Sequence, residues 1–345
     1  MCYSGQHRGM DNFWHNRKVF ITGGNGFLGS HLTSLLIKHG ARPVVPVYEE
    51  NPGGVFDQED LAAACDIVYG DITNIELMQS IIRSNKIEII FHLAAQAIVD
   101  QALEDPLATF DTNIKGTWNI LEVSLKSDTV KKIIVASSDK AYGEHDTLPY
   151  IEDVHSLKGT YPYEVSKVCA DLISTSYYKS FGLPVAITRC ANLYGPGDLK
   201  MNRLIPRTIA QLHAGQPPII RDRGTSLRDY LYVGDAAEAY RLLAEKMDAT
   251  IFGHAFNFAT NVPISVMEAI QIISKEMHSM IQPQTITTHG LEIRHQFASF
   301  EKAKNMLGWV PQHSFVDGLR HTIPWYTAHL ERNTRRYLEA GTPVA

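Results

Sequence analysis

The sequence has few features of a protein that binds metals, nucleic acids or membranes. Only four of its 345 residues are cysteines, and their wide spacing matches neither a metal site nor a disulfide framework. Lysine and arginine total 32 against 37 acidic residues, a net charge of −5, so nucleic acid and anionic lipid are poor partners. The longest apolar stretch, residues 87–99, is short and interrupted by polar side chains, too little to span a bilayer. These absences predict a cytoplasmic chain with reduced cysteines and no metal.

Strand and helix signals alternate through the first half of the chain. Short runs such as "KVFITGG", "PVVPVY", "IEIIFHLAA" and "KKIIVASS" are separated by helical patterns. This alternation predicts an α/β fold with a doubly wound parallel sheet of the Rossmann type. After about residue 195 proline and glycine become frequent and the strand signals shorten, which predicts a smaller, less regular C-terminal substrate lobe.

These textures predict the domain organisation. We expect a dinucleotide-binding Rossmann domain over residues 17–194, to which the chain returns near 230–260. The substrate-binding lobe is expected over 195–229 and 261–330. Residues 1–16 are polar and lack the apolar core of a signal peptide, so we expect a flexible N-terminal extension.

A glycine-rich segment, "ITGGNGFLGSHL", joins the first strand to the first helix. It satisfies the pattern GxGxxG, in which glycines allow a tight turn and a close approach to a pyrophosphate at the helix N-terminus. A glycine-rich turn without a ligand is the alternative, but the position within a strand–helix–strand unit favours a dinucleotide. The expected contacts of this turn are Gly23, Gly26, Phe27, Leu28 and Gly29.

Carboxylates after the second strand favour NAD over NADP. "PVYEEN" offers Glu49 or Glu50 to hold the adenosine ribose, and a carboxylate there would repel a 2′-phosphate. Asp71 in "YGDI" is a candidate for the adenine edge, although an aspartate that caps its own loop fits nearly as well. The further cofactor contacts that we expect are Ile72, Leu93, Ala94 and Ala95.

A tyrosine and a lysine in "YPYEVSKVCAD" form a possible catalytic pair. Tyr163 and Lys167 are four residues apart, on one face of a helix. The lysine ammonium should lower the pKa of the phenol and make it a usable base. Ser138, directly after the strand "KKIIVAS", could bridge a substrate hydroxyl to that phenol.

From Lys18 to Tyr326 the chain resembles the extended short-chain dehydrogenase/reductases that modify nucleotide sugars. The motifs that carry the resemblance are "TGGNGFLG", "HLAAQA", "SSDKAYG", "YPYEVSK", "NLYGPGD", "RDYLYV" and "LGWVP". The resemblance implies a tightly bound NAD, a nucleotide-diphosphate sugar as substrate and a homodimer. The helices that would pair two copies are predicted in "PLATFDTNIKGTWNILEVSLK" and "PYEVSKVCADLISTSYYKSFG", and both have apolar residues on more than one face. The alternative is that the chain's own second lobe covers the additional apolar face. A sugar diphosphate needs cationic and amide donors, and the candidates are Gln96, Asn192, Arg203, Arg228 and Arg294, with a surface role the alternative for each arginine.

Within the family, 4,6-dehydratases resemble this chain in having an acid–base pair after the catalytic Ser or Thr. The pair is Asp-Glu in the dTDP-glucose enzymes and Asp139-Lys140 here, a form most similar to CDP-glucose 4,6-dehydratase. The resemblance implies that Tyr163 takes the proton of the 4-hydroxyl, that Lys140 removes the C5 proton and that Asp139 protonates the departing 6-hydroxyl. As a base the lysine must be neutral, which burial and neighbouring cations can achieve. A purely structural ion pair is the alternative.

Two other functions fit parts of this pattern. A nucleotide-sugar 4-epimerase would use the same serine, tyrosine and lysine, but it would not need Asp139-Lys140. A non-catalytic NAD-binding regulator would need none of them. The sequence therefore predicts a 4,6-dehydratase, with the epimerase as the alternative.

Overall fold

The structure, a computed structural model, describes residues 13–221, 224–286 and 293–339. The strands of these ranges are β1 (Lys18–Thr22), β2 (Arg42–Val47), β3 (Asp66–Tyr69), β4 (Ile89–His92), β5 (Lys132–Ala136), β6 (Val185–Cys190), β7 (Asn192–Tyr194), β8 (Ile219–Arg221), β9 (Leu227–Arg228), β10 (Tyr230–Tyr232), β11 (Ala255–Phe258), β12 (Ile264–Ser265), β13 (Gln284–Ile286) and β14 (His295–Gln296). The helices are α1 (Phe27–Lys38), α2 (Val55–Gln58), α3 (Ile75–Ser84), α4 (Val99–Glu104), α5 (Pro106–Phe110), α6 (Gly116–Leu125), α7 (Pro162–Phe181), α8 (Leu204–His213), α9 (Val233–Lys246), α10 (Val266–Glu276), α11 (Glu301–Leu307) and α12 (Phe315–Glu339).

Seven strands form one parallel sheet in the order β11-β6-β5-β4-β1-β2-β3. This order confirms the predicted doubly wound fold. The strand order reverses beside β1, because β2 lies on one side of it and β4 on the other. Such a reversal leaves a crevice at the carboxyl ends of the strands, where ligands bind in this class of fold.

Alternate residues of the strands fill two separate cores, one on each face of the sheet. Val19 and Ile21 of β1 belong to one core with residues of α1 and α9. Phe20, between them, belongs to the other core with residues of α3 and α6. Because side chains alternate along a strand, a strand covered on both faces is apolar throughout, as the run "VFI" is.

The predicted N-terminal extension ends earlier than residue 16. Residues 1–12 lie outside the described residues, but Trp14 is fully buried and belongs to the core that contains α1 and α9. Its indole Nε1 donates a hydrogen bond to Glu245 at the end of α9. The prediction of a flexible extension is therefore wrong for residues 13–16, because an indole that fills a core outweighs the polar residues around it.

Short strands and three helices build the region beyond the sheet. Small sheets pair β7 with β10, β8 with β13, and β9 with both β12 and β14, while α8, α10 and α12 contribute to a separate apolar core. The chain returns to the main sheet through β11, which pairs with β6. The residue boundaries 17–194, 195–229 and 261–330 stay a prediction. None of the described helices is both long enough and apolar enough to cross a membrane.

Candidate active site

A cavity of about 1380 Å³ opens at the carboxyl ends of the parallel strands. The segments that follow β1 to β6 line one part of it, and residues of the C-terminal lobe line another. A cavity of this size exceeds the usual range for small-molecule sites, roughly 300–1000 Å³. It can therefore hold a dinucleotide and a second large ligand together.

The glycine turn after β1 forms one end of this cavity. Gly23 has a positive φ of +69°, and a Cβ there would lie 2.9 Å from the Cα of Ala94. A Cβ on Gly29 would lie 1.9 Å from the carbonyl oxygen of Gly23. Helix α1 begins at Phe27, two residues before Gly29, and lines the cavity with Phe27 and Leu28. The turn thus presents bare backbone and a helix N-terminus, the features that suit a pyrophosphate.

The other residues predicted for the cofactor lie along the same wall, with one exception. Glu49 lines the cavity, whereas Glu50 does not. The carboxylate of Glu50 accepts a hydrogen bond of 3.4 Å from Tyr69 Oη on the exposed edge of the sheet. Glu50 therefore lies outside the cavity wall in this structure, beyond the end of β2 at Val47, and the ribose contact of either glutamate stays a prediction. Asp71 lines the cavity and also caps its own loop, accepting from the Thr73 N–H at 2.8 Å. The other predicted cofactor contacts that line the cavity are Ile72, Leu93, Ala94 and Ala95.

The segment "SSDKAYG" leaves β5 as a short 3₁₀ turn. Ser138 precedes this turn, and its Oγ accepts a hydrogen bond from the Lys140 N–H at 3.2 Å. Gly143 ends the turn with a φ of +68°, and a Cβ there would lie 2.5 Å from the Lys158 carbonyl oxygen. The turn directs Ser138, Asp139 and Lys140 into the cavity together.

Asp139 is a buried acid. It is 2% exposed, and Ser138 Oγ donates to its Oδ1 at 3.2 Å. Its Oδ2 is buried and has no hydrogen-bond partner among the described residues. Burial raises the pKa of Asp139 to about 6, although the neighbouring Lys140 opposes this rise. A carboxyl group with this pKa can act as a proton donor near neutral pH.

Tyr163 and Lys167 lie one turn apart near the start of α7, as predicted. Glu164 stabilises this helix end by accepting from the Thr160 N–H at 2.8 Å and from the Tyr161 N–H at 3.3 Å. Tyr163 lines the cavity beside Ser138, while Lys167 is buried and donates to the Ala136 carbonyl oxygen at 2.9 Å.

The electrostatics of this pair differ from the prediction. Burial raises the pKa of Tyr163 to about 12, with Ser138 and Arg203 opposing the rise. Burial also lowers the pKa of Lys167 to about 8, opposed by Asp171. The Lys167 Nζ lies 6.0 Å from the centroid of the tyrosine ring. The net pKa of the phenol is therefore raised in this structure, since desolvation of the phenolate outweighs the attraction of the ammonium at this distance. The expected effect of Lys167 on the phenol of the loaded enzyme stays a prediction.

Lys140 is only partly buried, and its Nζ donates to the side-chain oxygen of Gln296 at 3.2 Å. Gln296 lies on β14 and is fully buried. The sequence offers no periodic signal at a strand of two residues, so Gln296 was not a predicted site residue. This lysine is thus close to the carboxylate of Asp139, the preceding residue, and to the amide of Gln296 from a distant strand.

Several predicted substrate residues line the far side of the cavity. Arg228 is buried, at 6% exposure, and donates to the carbonyl oxygens of Leu227 and Arg294. Arg203 forms an ion pair of 3.0 Å with Asp198, a residue that is 3% exposed at its side chain. Asn192 and Arg294 line the cavity too. These cations and the Asn192 amide line the same cavity, and a diphosphate would require donors of this kind.

Gln96 and Arg207 differ from expectation. The amide of Gln96 is engaged within its own loop, with Ile98 and Thr109, although the residue lines the cavity. Its predicted substrate contact stays a prediction. Arg207 lines the cavity and was not predicted. The spacing of four residues from Arg203 was the signal that could have found it, because such residues share one face of a helix.

Comparisons with known proteins agree with this geometry. Residues 19–259 match the NAD dependent epimerase/dehydratase family. The chain is 30% identical over 339 residues to the dTDP-glucose 4,6-dehydratase of Shigella flexneri, which covers 90% of this chain and 93% of that protein. It is 28% identical over 337 residues to the CDP-glucose 4,6-dehydratase of Salmonella typhimurium, with 92% of both chains covered. A trifunctional UDP-glucose 4,6-dehydratase, epimerase and reductase of Arabidopsis thaliana is 29% identical over 93% of this chain. The chain spans about half, 49%, of that longer relative.

Solved structures give the same range of activities. The dTDP-glucose 4,6-dehydratase of Bacillus anthracis in complex with NAD is 26% identical, with a TM-score of 0.82 over 91% of this chain and 98% of that one. The UDP-glucose 4-epimerase of Thermotoga maritima with UDP-glucose is 28% identical, with a TM-score of 0.84 over 91% and 99%. Dehydratases and epimerases are thus about equally similar to this chain.

Proposed function

The chain belongs to the NAD dependent epimerase/dehydratase family, and from that premise we propose that it is a nucleotide-sugar 4,6-dehydratase. The substrate class is a nucleoside-diphosphate hexose, and the product is the corresponding 4-keto-6-deoxyhexose and water. The observation that carries the proposal is the position of Asp139 and Lys140 beside Ser138 and Tyr163 on one cavity wall. A 4-epimerase needs no second acid and base at this place.

The cofactor end of the cavity suits NAD. The bare backbone at Gly23 and Gly29 allows close approach of a pyrophosphate, and Glu49 supports recognition of an unphosphorylated ribose. When bound, NAD supplies an oxidant that takes hydride from C4 of the sugar and later returns it to C6.

Ser138 and Tyr163 act on the sugar 4-hydroxyl. The serine hydroxyl bridges the sugar to Tyr163, and the Tyr163 phenolate accepts the proton as the 4-hydroxyl becomes a ketone. The pKa of about 12 for the buried phenol is high for a base, so the positive charges of Lys167 and of oxidised nicotinamide favour the phenolate when substrate and cofactor are bound.

Lys140 and Asp139 act at the next two carbons. The ketone at C4 acidifies the C5 hydrogen, and the Lys140 amine removes it as a proton. Asp139 donates its proton to the 6-hydroxyl oxygen while the C6–O bond breaks, and water leaves. Return of the proton from Lys140 to C5 and of hydride to C6 completes the 4-keto-6-deoxy sugar. Tyr163 then holds the proton of the 4-hydroxyl and Asp139 lacks the one that left in water, so transfer of one proton from the phenol to the carboxylate, directly or through solvent, restores the starting states.

The test is incubation of the pure protein with CDP-, dTDP-, UDP- and GDP-glucose, followed by NMR of the products. A 4-keto sugar with a C6 methyl group supports the proposal. Conversion of a gluco to a galacto sugar, with the 6-hydroxyl retained, would support the 4-epimerase that solved structures of similar likeness allow. No conversion of any sugar would contradict both.

We select CDP-glucose as the expected substrate within this class. The Asp139-Lys140 form of the pair resembles the CDP-glucose enzymes, and one such enzyme is similar over 92% of this chain. In the panel above, the highest kcat/KM should belong to CDP-glucose. A preference for another base would correct the nucleotide without affecting the dehydratase chemistry.

Apolar side chains on neighbouring helices support a homodimer. Leu107 on α5, Trp118 on α6 and Leu172 on α7 are 71%, 43% and 60% exposed. The chain's own C-terminal lobe therefore leaves them uncovered. Apolar residues at this exposure on one group of helices suit an interface with a second copy.

A further inference from the structure

Gln296 joins the two halves of the molecule at the acid–base pair. It comes from β14 in the C-terminal lobe, while Asp139 and Lys140 follow β5 of the main sheet. Its Oε1 accepts a hydrogen bond from Lys140 Nζ at 3.2 Å. Its Nε2 is buried without a hydrogen-bond partner among the described residues, as is Asp139 Oδ2. The Gln296 amide also favours the ionised form of the Asp139 carboxyl, so its donor end faces that group.

The backbone of β14 does not need this side chain. Strand β14 pairs in parallel with β9, and the Asp229 N–H donates to the Gln296 carbonyl oxygen at 3.2 Å. An apolar residue of similar size would fill the same buried space without the cost of a buried amide with an unpaired donor. The amide is thus better explained by what it does to its two polar neighbours.

We propose that Gln296 is a positioning residue for the Asp139–Lys140 pair, with Oε1 directing the lysine amine and Nε2 facing the carboxyl group. This inference rests on the proposed dehydratase function. The amide is neutral, so it can hold the Lys140 amine in one direction without attracting a proton to it. A carboxylate at the same place would attract that proton and keep the lysine charged.

The first test needs no substrate and measures the reactivity of the Lys140 amine. Wild type and Gln296→Glu are treated with limiting acetic anhydride over a range of pH, and acetylation at Lys140 is read by mass spectrometry. Besides the pair itself, the titratable groups that interact with Asp139 are Tyr150, Tyr163, Cys190 and Asp229. They are the same in both proteins, so a difference between the two profiles reports the new carboxylate.

The pH of half-maximal acetylation should be higher in Gln296→Glu, by about one unit or more for a carboxylate next to an amine. Thr322→Val is the matched control, because Thr322 is a fully buried polar residue of the same lobe, bonded to the Gly318 carbonyl oxygen. Its profile should coincide with that of wild type. Coincident profiles for wild type and Gln296→Glu would overturn the proposal.

The second test separates the two half-reactions in Gln296→Leu. With substrate in D₂O, deuterium uptake at C5 reports the base, and the absorbance of the reduced cofactor reports oxidation at C4. Uptake at C5 should fall about 100-fold, the loss expected for a catalytic group displaced by about 1 Å, while C4 oxidation and KM stay within a few-fold. Equal losses in both would show a general structural role, and no loss in either would show that the amide is dispensable. If wild type itself forms no 4-keto product, the proposed function fails, and the acetylation profiles still decide the role of Gln296.

Discussion

The difference in stability between Asp139→Asn and wild type should increase in favour of the variant as pH rises. The Asp139 side chain is 2% exposed, and burial raises its pKa from 3.8 to about 6. A raised pKa means that the folded state holds the proton more tightly than the unfolded state. Stability that is fully present below the unfolded pKa is therefore lost as pH rises through 6.

The size of this loss follows from the two pKa values. The rise from 3.8 to about 6 corresponds to about 3 kcal/mol in all, and about half of it falls between pH 5 and pH 8. Asparagine has a similar size and no charge to lose, so the variant escapes this loss. The new amide adds its own effect, but that effect does not depend on pH.

The assay is unfolding of both proteins by denaturant at several values from pH 5 to pH 8. The free energy of unfolding of Asp139→Asn minus that of wild type should rise by about 1–1.5 kcal/mol across this range. Asp146→Asn, which changes an exposed carboxylate in the next loop, is the control and should show a constant difference. A constant or falling difference for Asp139→Asn would refute the account of a buried, weakly acidic carboxyl.

The same ionisation should limit the reaction. With a pKa of about 6, about a tenth of the molecules carry the Asp139 proton at pH 7, against about one in a thousand for a carboxyl at its ordinary pKa. Water loss should therefore slow about tenfold per pH unit well above pH 6. In Asp139→Asn, product formation should fall by about 10²–10⁴-fold below pH 6, the range for loss of a general acid, and this difference from wild type should shrink as pH rises.

Three further outcomes are expected. In Lys140→Met, product formation should fall by about 10²–10⁴-fold, and reduced cofactor should accumulate when substrate is added. Tyr163→Phe should show no reduced cofactor. If Lys140→Met turns over within a few-fold of wild type, the lysine has only a structural role. The purified protein should release NAD or NADH on denaturation, because the reaction does not consume it, and release of only NADP would contradict this. Wild type should sediment as a dimer at micromolar concentration. Changing Trp118 or Leu172 to Glu should give monomers, because it places a charge in an apolar interface. A monomeric wild type would exclude this surface as a dimer interface.

Local patterns in the sequence were sufficient to predict the main sheet. Each of its strands is a run of apolar residues flanked by a turn or a helix, and even β11, far along the chain, keeps that pattern in "HAFNF". The glycine turn, the segment around Asp139 and the pair in α7 could be predicted because each lies next to a strand end or within one helix. Their chemistry depends on residues that are close in sequence.

The C-terminal lobe could not be predicted in the same way. Its strands are two or three residues long and pair with segments far away in sequence, as β9 does with β14. Such strands are too short to show a period of two. Two site residues were missed or misjudged for related reasons: Gln296 lies on such a strand, and the direction of the Tyr163 pKa depends on burial that only the folded chain produces.

The acid–base pair therefore depends on both halves of the chain. Ser138, Asp139 and Lys140 are placed by their own turn, but two residues of the lobe also act on the pKa of Asp139, which burial raises. The charge of Asp229 raises it further, and the amide of Gln296 opposes the rise. The unpaired Asp139 Oδ2 and Gln296 Nε2 each cost about 1–3 kcal/mol if no partner satisfies them. A substrate hydroxyl placed between them would recover part of that cost on binding. The same two atoms would then favour a sugar that still carries its 6-hydroxyl, which is the group that the proposed reaction removes.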